Sequence, residues 1–312
     1  MSELQQKQER SIFASVFLSP DESRLRAGWR LLPQLILYIF LSIILFDISS
    51  ALGYESSVPS LFLNRIFDFL AVTGSVYIVR RWLDKRSFES LGLKINRQVL
   101  VDIFAGIGIM LVMMGSIFAV MLGLGWLTFE GFAWQFDPIG TVLSSVATFF
   151  ILFIFVGWNE ELFSRGYQLQ TIASGLNLNW GAVLSASVFA LIHFRNPNST
   201  WVSTAGIFFA GIFFAYAYIR TKQLWLPIGL HIGWNFFEGV VFGFRVSGLD
   251  IYPLTRIQVM GPEQWTGGPF GPEAGLIILP AIILGALLIF WFTRSRIIDN
   301  QTALRKAGKT VQ

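Results

Sequence analysis

The sequence predicts an all-α polytopic membrane protein with about eight transmembrane helices. Hydrophobic residues make up 54% of the 312 residues and charged residues only 13%, whereas roughly 25% of the residues in a soluble protein are charged. The mean hydropathy is +0.61. Apolar runs of about 20 residues, the length that crosses a bilayer, recur along the chain. These observations exclude a soluble protein.

Eight apolar stretches are the candidate spans. They lie near residues 30–50, 62–80, 101–127, 140–162, 180–194, 203–219, 225–244 and 274–293. The fourth is expected to continue as an amphipathic helix to Gly175. The fifth and sixth are short for a span, and we expect them to be tilted or re-entrant.

The chain is expected to form one domain because it has no internal repeat and no low-complexity tract. We assign residues 1–28 to a cytoplasmic N-terminal segment, 29–294 to the transmembrane domain and 295–312 to a cytoplasmic tail. Between the last two spans, the stretch from Arg245 to Glu273 is rich in Gly and Pro and predicts an ordered loop outside the membrane.

The distribution of Lys and Arg predicts the orientation. With a cytoplasmic N-terminus, 19 of the 23 Lys and Arg residues fall on the inner side, and the outer side keeps Arg65, Arg195, Arg245 and Arg256. We therefore expect both termini in the cytoplasm. The inner loops account for the net charge of +4, so no nucleic-acid partner is expected. An apolar chain with a charged N-terminus and no organelle signal is compatible with a bacterial plasma membrane, which is the expected location.

The chain has no cysteine. A disulfide framework and a cysteine nucleophile are both excluded. Any covalent or hydrolytic chemistry must therefore use other side chains.

The stretch "WNEELFSRGY" places two carboxylates at the end of an apolar span, where each is costly unless it faces protein or water. Glu161 and Arg165 are four residues apart on one helical face, a spacing that favours an ion pair. Glu160 points about 100° away and is left free for chemistry.

The two histidines of the chain, His193 and His231, both fall in candidate spans. If the fourth and fifth helices form a hairpin at "SGLNLN", Glu160 and His193 lie side by side, each roughly 20 Å from the turn. His231 and Asn235 share a helical face. Gly229 and Gly233, which flank His231, allow a neighbouring helix to approach closely.

A free carboxylate, two imidazoles and an amide form a coherent set for hydrolysis. A carboxylate can take a proton from water, an imidazole can share that task or protonate a leaving amine, and donors can stabilise an oxyanion. No other histidine competes for these roles.

Three motifs resemble those of a known family. "EELFSR" has the form Glu-Glu-x-x-x-Arg, "FALIH" the form Phe-x-x-x-His and "HIGWN" the form His-x-x-x-Asn, and together they span a motif core from residue 160 to 235. In order and spacing they are similar to the CAAX prenyl protease and bacteriocin-processing family, also called the abortive-infection family. One departure is Ser164, where the family often has an aromatic residue.

The resemblance implies an eight-helix intramembrane endopeptidase whose transmembrane domain is a protease domain. By the resemblance, Glu160 and His193 would activate the attacking water, and His231 with Asn235 would form the oxyanion site. Glu161 and Arg165 would be a supporting pair, and Phe189 would pack beside the site. The expected partners are a peptide or membrane-protein substrate and the lipid bilayer.

Two other functions are compatible with the sequence. One is a transporter in which Glu160, His193, His231 and Glu238 relay protons, although such proteins often contain repeats that are not found here. The other is a catalytically silent immunity or binding protein on the same scaffold. Loss of a motif residue would indicate the silent protein, and none is missing.

Metal dependence has two readings. Glu160, His193 and His231 have the composition of a His₂Glu zinc site, so zinc is the alternative cofactor. No His-Glu-x-x-His helix is present. We favour a reaction with no bound metal and no other cofactor.

Overall fold

A computed structural model describes residues 16–19, 24–51 and 58–306 of the chain. The α-helices are α1 (Ala27–Ala51), α2 (Val58–Trp82), α3 (Gln98–Gly123), α4 (Ile139–Glu161), α5 (Gln170–Gly175), α6 (Leu178–His193), α7 (Trp201–Thr221), α8 (Trp225–Asn235), α9 (Glu263–Thr266) and α10 (Ile278–Lys306). Two short strands, β1 (Leu127–Phe132) and β2 (Thr255–Val259), form the one sheet found in the described part of the chain. The prediction of an all-α polytopic membrane protein is confirmed.

All eight predicted spans are helical, but they differ in length from the expectation. Within the described residues, six helical segments are long and apolar enough to cross a membrane: Ala27–Ser50, Phe62–Trp82, Gln98–Gly123, Ile139–Gly175, Trp201–Thr221 and Ile278–Arg296. The fifth predicted span is the 16-residue α6, which is short as expected. The sixth was expected to be short and is instead the 21-residue α7. The seventh predicted span contains the other short helix, the 11-residue α8.

The fourth span continues to Gly175 as predicted, with a change of helix type that the sequence did not indicate. Directly after Glu161 the helix becomes a π-helix, Leu162–Leu169, and then returns to α geometry as α5. A second π-helix, Phe236–Val241, follows α8 directly. π-Helical turns are rare and are frequent at functional sites. The turn into α6 is capped by the side chain of Asn177, which accepts from the Trp180 backbone N–H.

Helix α8 runs through the middle of the bundle. Every residue from Leu226 to Asn235 is buried, because the helix is apolar on all sides and packs against α3, α4 and α7. A Cβ atom at Gly229 would lie 2.3 Å from the carbonyl oxygen of Ile103, and one at Gly106 would lie 2.5 Å from the backbone nitrogen of Leu230. The predicted close approach beside His231 is therefore confirmed, with α3 as the neighbour.

The loop between α8 and α10 is ordered, as expected. Its strand β2 pairs antiparallel with β1, with Leu127 opposite Val259 and a bulge at Phe129/Gly131. The Asp137 carboxylate accepts hydrogen bonds from Tyr252 and Arg256, which ties the loop to the start of α4. The loop thereby covers one end of the bundle.

Candidate active site

A cavity of about 600 Å³ opens among α1, α2, α4, α6, α7, α8 and the loop that follows α8. Most of its wall is apolar. The polar side chains in the wall include all four residues predicted to be catalytic: Glu160, His193, His231 and Asn235. Three separate helices supply them, so the site exists only in the assembled bundle.

Glu160 lies in the last turn of α4 and faces the cavity, with its side chain 33% exposed. Its Oε2 atom is 3.7 Å from His193 Nε2 and 3.6 Å from His231 Nε2. The same oxygen is buried and has no hydrogen-bond partner within the described residues. The structure thus brings Glu160 and His193 together as the helix-hairpin argument predicted, and adds His231.

The Nδ1 atom of each imidazole, on the side of the ring away from Glu160, contacts an oxygen atom of the protein. His193 Nδ1 lies 2.8 Å from the Phe189 carbonyl oxygen, which can only accept, so Nδ1 carries the proton. His231 Nδ1 lies 2.8 Å from Glu161 Oε1. Both rings therefore direct Nε2 at Glu160. The Nε2–Oε2 separations are too long for direct hydrogen bonds and suit one bridging water.

Glu161 forms the predicted ion pair and also a contact that the sequence did not indicate. Its Oε1 atom accepts from Arg165 Nη1 at 2.9 Å and contacts His231 Nδ1. The Arg165 side chain is 1% exposed, and its Nη2 atom donates to the Gly211 carbonyl oxygen. The pair is therefore part of the support of an imidazole as well as a neutralised charge. Residue spacing within α4 could not predict the contact of Glu161 with His231, because His231 lies on a different helix, α8.

Aromatic rings enclose this pair. The Arg165 guanidinium lies 4.5 Å from the Phe189 ring centroid and 5.1 Å from that of Phe214, at distances typical of cation–π contacts. Phe214 stacks on His231 with centroids 4.9 Å apart and planes 4° apart. Phe189 lies 4.5 Å from His193, which agrees with its expected place beside the site. Phe214 had no distinguishing signal among the many phenylalanines of the chain.

Asn235 lies one turn after His231 and lines the same cavity. Within the described residues its amide makes no hydrogen bond, so it is available to a bound molecule. Glu238 behaves differently: it is buried in the second π-helix and is not part of the cavity wall. Of the four residues named for a proton relay, Glu160, His193 and His231 line the cavity and Glu238 does not.

The sequence analysis did not identify a polar cluster around Asp68 in the cavity wall. Asp68 accepts from the Tyr38 hydroxyl and from Asn159 Nδ2, both at 3.3 Å, and Arg65 Nη1 is 3.9 Å away. All four residues line the cavity. Asp68 could have been found, because it is the one carboxylate in the stretch 62–80 and polar residues inside spans deserve a functional hypothesis.

The loop after α8 forms the remaining wall. Glu273 accepts from Trp234 Nε1 at 3.0 Å and from the Ser247 backbone N–H and hydroxyl at 2.6 and 3.0 Å. Asn196 Nδ2 donates to the Ser247 carbonyl oxygen. Burial raises the pKa of Glu273 above its usual value, although the Ser247 hydrogen bonds act in the opposite direction. Glu273 thus anchors the loop at the mouth of the cavity.

The side chains as placed do not form a metal site. Within the described part of the chain, no group of three or more His, Cys, Asp or Glu side chains is positioned to hold a metal ion. The expectation of a metal-free reaction remains a prediction, and the metal ligand set remains Glu160, His193 and His231.

The fold and the site define a class: an all-α membrane protein with a carboxylate, two imidazoles and an amide around a cavity between its helices. Residues 142–237 match the family described as Type II CAAX prenyl endopeptidase Rce1-like. This segment contains all three motifs, and the resemblance to the CAAX protease family is confirmed over it. The match implies a protease with a peptide or protein substrate. No curated protein and no solved structure matches the chain.

Proposed function

We propose that the protein is an intramembrane endopeptidase that hydrolyses peptide bonds of a membrane-associated peptide or protein. One observation carries this proposal: Glu160 Oε2 faces the Nε2 atoms of both histidines at 3.6–3.7 Å inside a cavity that is partly open to solvent. Glu160 Oε2 and His193 Nε2 are two acceptors for the two O–H groups of a nucleophilic water, which keeps a lone pair for attack.

In the proposed reaction, Glu160 acts as general base with His193. The water oxygen attacks the carbonyl carbon of the scissile bond as its proton passes to Glu160 or His193. The tetrahedral intermediate then collapses, the C–N bond breaks, and the same proton goes to the leaving amine. A carboxyl-terminal and an amino-terminal fragment result, with one water consumed.

His231 and Asn235 are proposed to stabilise the oxyanion. The Asn235 amide has no partner of its own in the described chain and lies one turn from His231 on α8. His231 would donate from Nε2, and because its Nδ1 lies 2.8 Å from the Glu161 carboxylate, this role requires a proton on both ring nitrogens. Developing negative charge on the carbonyl oxygen would then meet two donors.

The two alternative functions have less support. A proton-relay transporter would use Glu238 together with Glu160 and the two histidines, and Glu238 is buried and is not part of the cavity wall that holds the other three. A catalytically silent scaffold would be expected to lack a site residue, and the full set is present around the cavity. The proposed substrate is a peptide or membrane protein, and the family match supports a peptide or protein substrate.

The test compares the membrane proteomes of cells that express the wild-type chain, Glu160→Gln and Glu130→Gln. Glu130→Gln is the matched control because that side chain is exposed on β1, away from the cavity. Labelling of new protein termini should reveal fragments with wild type and Glu130→Gln that disappear with Glu160→Gln. An identical set of fragments in all three samples would contradict the assignment.

A further inference from the structure

The two ends of the helix bundle differ strongly in charge. One end, which we call the basic end, is assembled from the start of α1, the end of α2, the turn after α5 and the α7–α8 turn. Arg30 connects three of these elements, because its guanidinium contacts Asp84 Oδ1 at 2.5 Å and Ser174 Oγ at 2.6 Å. The α7–α8 turn joins through the hydrogen bond from the Leu224 N–H to the Gly92 carbonyl oxygen.

Most described Lys and Arg residues lie at this basic end. They are Arg24, Arg26, Arg30, Arg80, Arg81, Lys85, Arg86, Lys94, Arg97, Arg220, Lys222, Arg294 and Arg296. The opposite end is formed by β1, β2, the α6–α7 connection and the loop after α8. Its described charges are mixed, with Arg65, Arg195, Arg245 and Arg256 among the carboxylates Asp68, Glu130, Asp137, Asp250, Glu263 and Glu273.

The cavity opens toward the opposite end. Asn196, Ser247, Leu249, Ile251 and Glu273 contribute to its wall, and no Lys or Arg of the basic end does. His193 closes α6 at the end farther from the basic end, 15 residues after Leu178 and hence about 22 Å along the helix.

Buried side chains separate the site from the basic end. Glu161, Leu162, Tyr167 and Leu169 all have no exposed surface. These four residues follow Glu160 along the continuous helix formed by the end of α4, the π-helix and α5. That helix leads to Ser174, which contacts Arg30. Water and substrate therefore have no path from the basic end through this part of the bundle.

We infer that the cavity opens to the extracytoplasmic side, so that the enzyme takes membrane-anchored proteins or peptides whose cleaved segment lies outside the cytoplasm. Lys and Arg residues favour the cytoplasmic side of membrane proteins, and anionic lipids on that side attract them. The basic end therefore belongs in the cytoplasm and the cavity mouth on the exterior. The substrate class rests on the proposed function, whereas the sidedness rests on the charge distribution and the position of the cavity.

The absence of cysteine from the chain makes this inference directly testable. Single-cysteine variants provide one reactive thiol each: Leu249→Cys and Asp250→Cys at the mouth, and Ile95→Cys at the basic end. Leu249 is 43% exposed and Ile95 is 88% exposed, and the Asp250 side chain is 79% exposed. A membrane-impermeant maleimide is added to spheroplasts and, in parallel, to detergent-lysed cells.

We expect both mouth variants to react in spheroplasts as fully as after lysis, and labelling of Ile95→Cys to rise several-fold only on lysis. The reverse pattern would overturn the inference, as would mouth variants that react only after lysis. Because labelling requires no cleavage, its outcome is independent of whether Glu160 is catalytic.

A second measurement tests the route of the substrate. A bulky maleimide on Leu249→Cys in spheroplasts should lower the yield of fragments identified in the terminus-labelling comparison several-fold, while the same reagent on Asp250→Cys, which is outside the cavity wall, should lower it less. Full cleavage after complete labelling of Leu249→Cys would overturn the substrate assignment and leave the sidedness intact.

Discussion

At the scale of single residues, two adjacent glutamates have different environments because successive helix positions point about 100° apart. Glu160 faces the cavity and is one-third exposed, whereas Glu161 faces the protein and is fully buried. Glu161 then bonds to Arg165 and to the ring of His231. The reacting group and its support therefore come from neighbouring positions of one helix.

The first prediction concerns the four cavity residues. Glu160→Gln, His193→Ala and His231→Ala should each abolish cleavage, because each removes a group that acts in the reaction. Asn235→Ala should retain residual activity, since loss of one oxyanion donor costs roughly 10²–10³-fold in rate. Initial rates on a substrate identified by terminus labelling, with Glu130→Gln as control, provide the measurement. A fully active His193→Ala variant would remove that residue from the mechanism.

The second prediction concerns Glu161 and Arg165. Arg165→Ala should destabilise the protein by about 3–5 kcal/mol, because it leaves a buried carboxylate unpaired. Arg256→Ala removes the ion-pair partner of Asp137, and it should cost less than about 1 kcal/mol because the Arg256 side chain is 37% exposed. Thermal unfolding in detergent compares the two variants.

The double exchange Glu161→Arg with Arg165→Glu separates the two contacts of Glu161. It should recover some stability but no activity, because a cation would then face His231 Nδ1. Normal cleavage by the exchanged protein would mean that Glu161 serves only as the counter-charge of Arg165.

The third prediction concerns metal. Both histidines have a partner on Nδ1, as metal ligands usually do, which is the observation in favour of zinc. Against it, the described side chains are not positioned as a metal site. We expect active, detergent-purified protein to lack stoichiometric zinc by elemental analysis and to keep its activity in chelator. The opposite result would be stoichiometric zinc whose removal abolishes activity and whose addition restores it. That result would make Glu160, His193 and His231 zinc ligands.

At the scale of helices, the site depends on how closely α3 approaches α8. His231 lies between Gly229 and Gly233, and at both glycines a Cβ atom would meet α3 within 3.0 Å. The absence of side chains there lets the two backbones touch. This contact fixes the height and rotation of α8, and with it the positions of His231 and Asn235.

The fourth prediction follows from this contact. Gly229→Ala should lower stability by about 1–3 kcal/mol, the usual cost of overpacking, and should also lower activity by displacing His231. Gly108→Ala on α3 is the control, because a Cβ atom there meets nothing within 4 Å. Thermal unfolding and cleavage rates are measured on both. Equal stability of the two variants would show that α3 and α8 can move apart to accept the added methyl group without loss of stability.

At the scale of the whole molecule, burial is uneven across the bundle. In α7, 61% of the span is buried, whereas in α1 only 6% is buried. Helix α1 therefore presents most of its surface to lipid, while α7 and α8 form the centre. Because α1 also lines the cavity through Leu35 and Tyr38, one wall of the site is the most lipid-dependent part of the fold.

The fifth prediction is that hydrogen exchange in detergent will be faster in α1 than in α7. Few protein contacts restrain α1, so local opening costs less free energy there than in the centre of the bundle. Exchange followed by mass spectrometry measures both helices in one sample, and lipid nanodiscs should reduce the difference. Equal protection in detergent would indicate that α1 is held by protein rather than by lipid.

The sequence determined the membrane class, the helical spans and the identities of the proposed catalytic residues. Hydropathy and span length are local properties, and a charged or polar residue in an apolar span is visible without a structure. Helical spacing also predicted the Glu161–Arg165 pair and the shared face of His231 and Asn235. The π-helices and the contact from Glu161 to His231 could not be read in this way.

Tertiary structure decided which residues of different helices meet. Glu160, His193 and His231 come from α4, α6 and α8, and their distances depend on the rotation and height of three helices at once. The exclusion of Glu238 and the inclusion of Asp68 and Glu273 follow from the same packing. Spacing within a helix fixes which face a side chain occupies, but only the packing of whole helices fixes what that face touches.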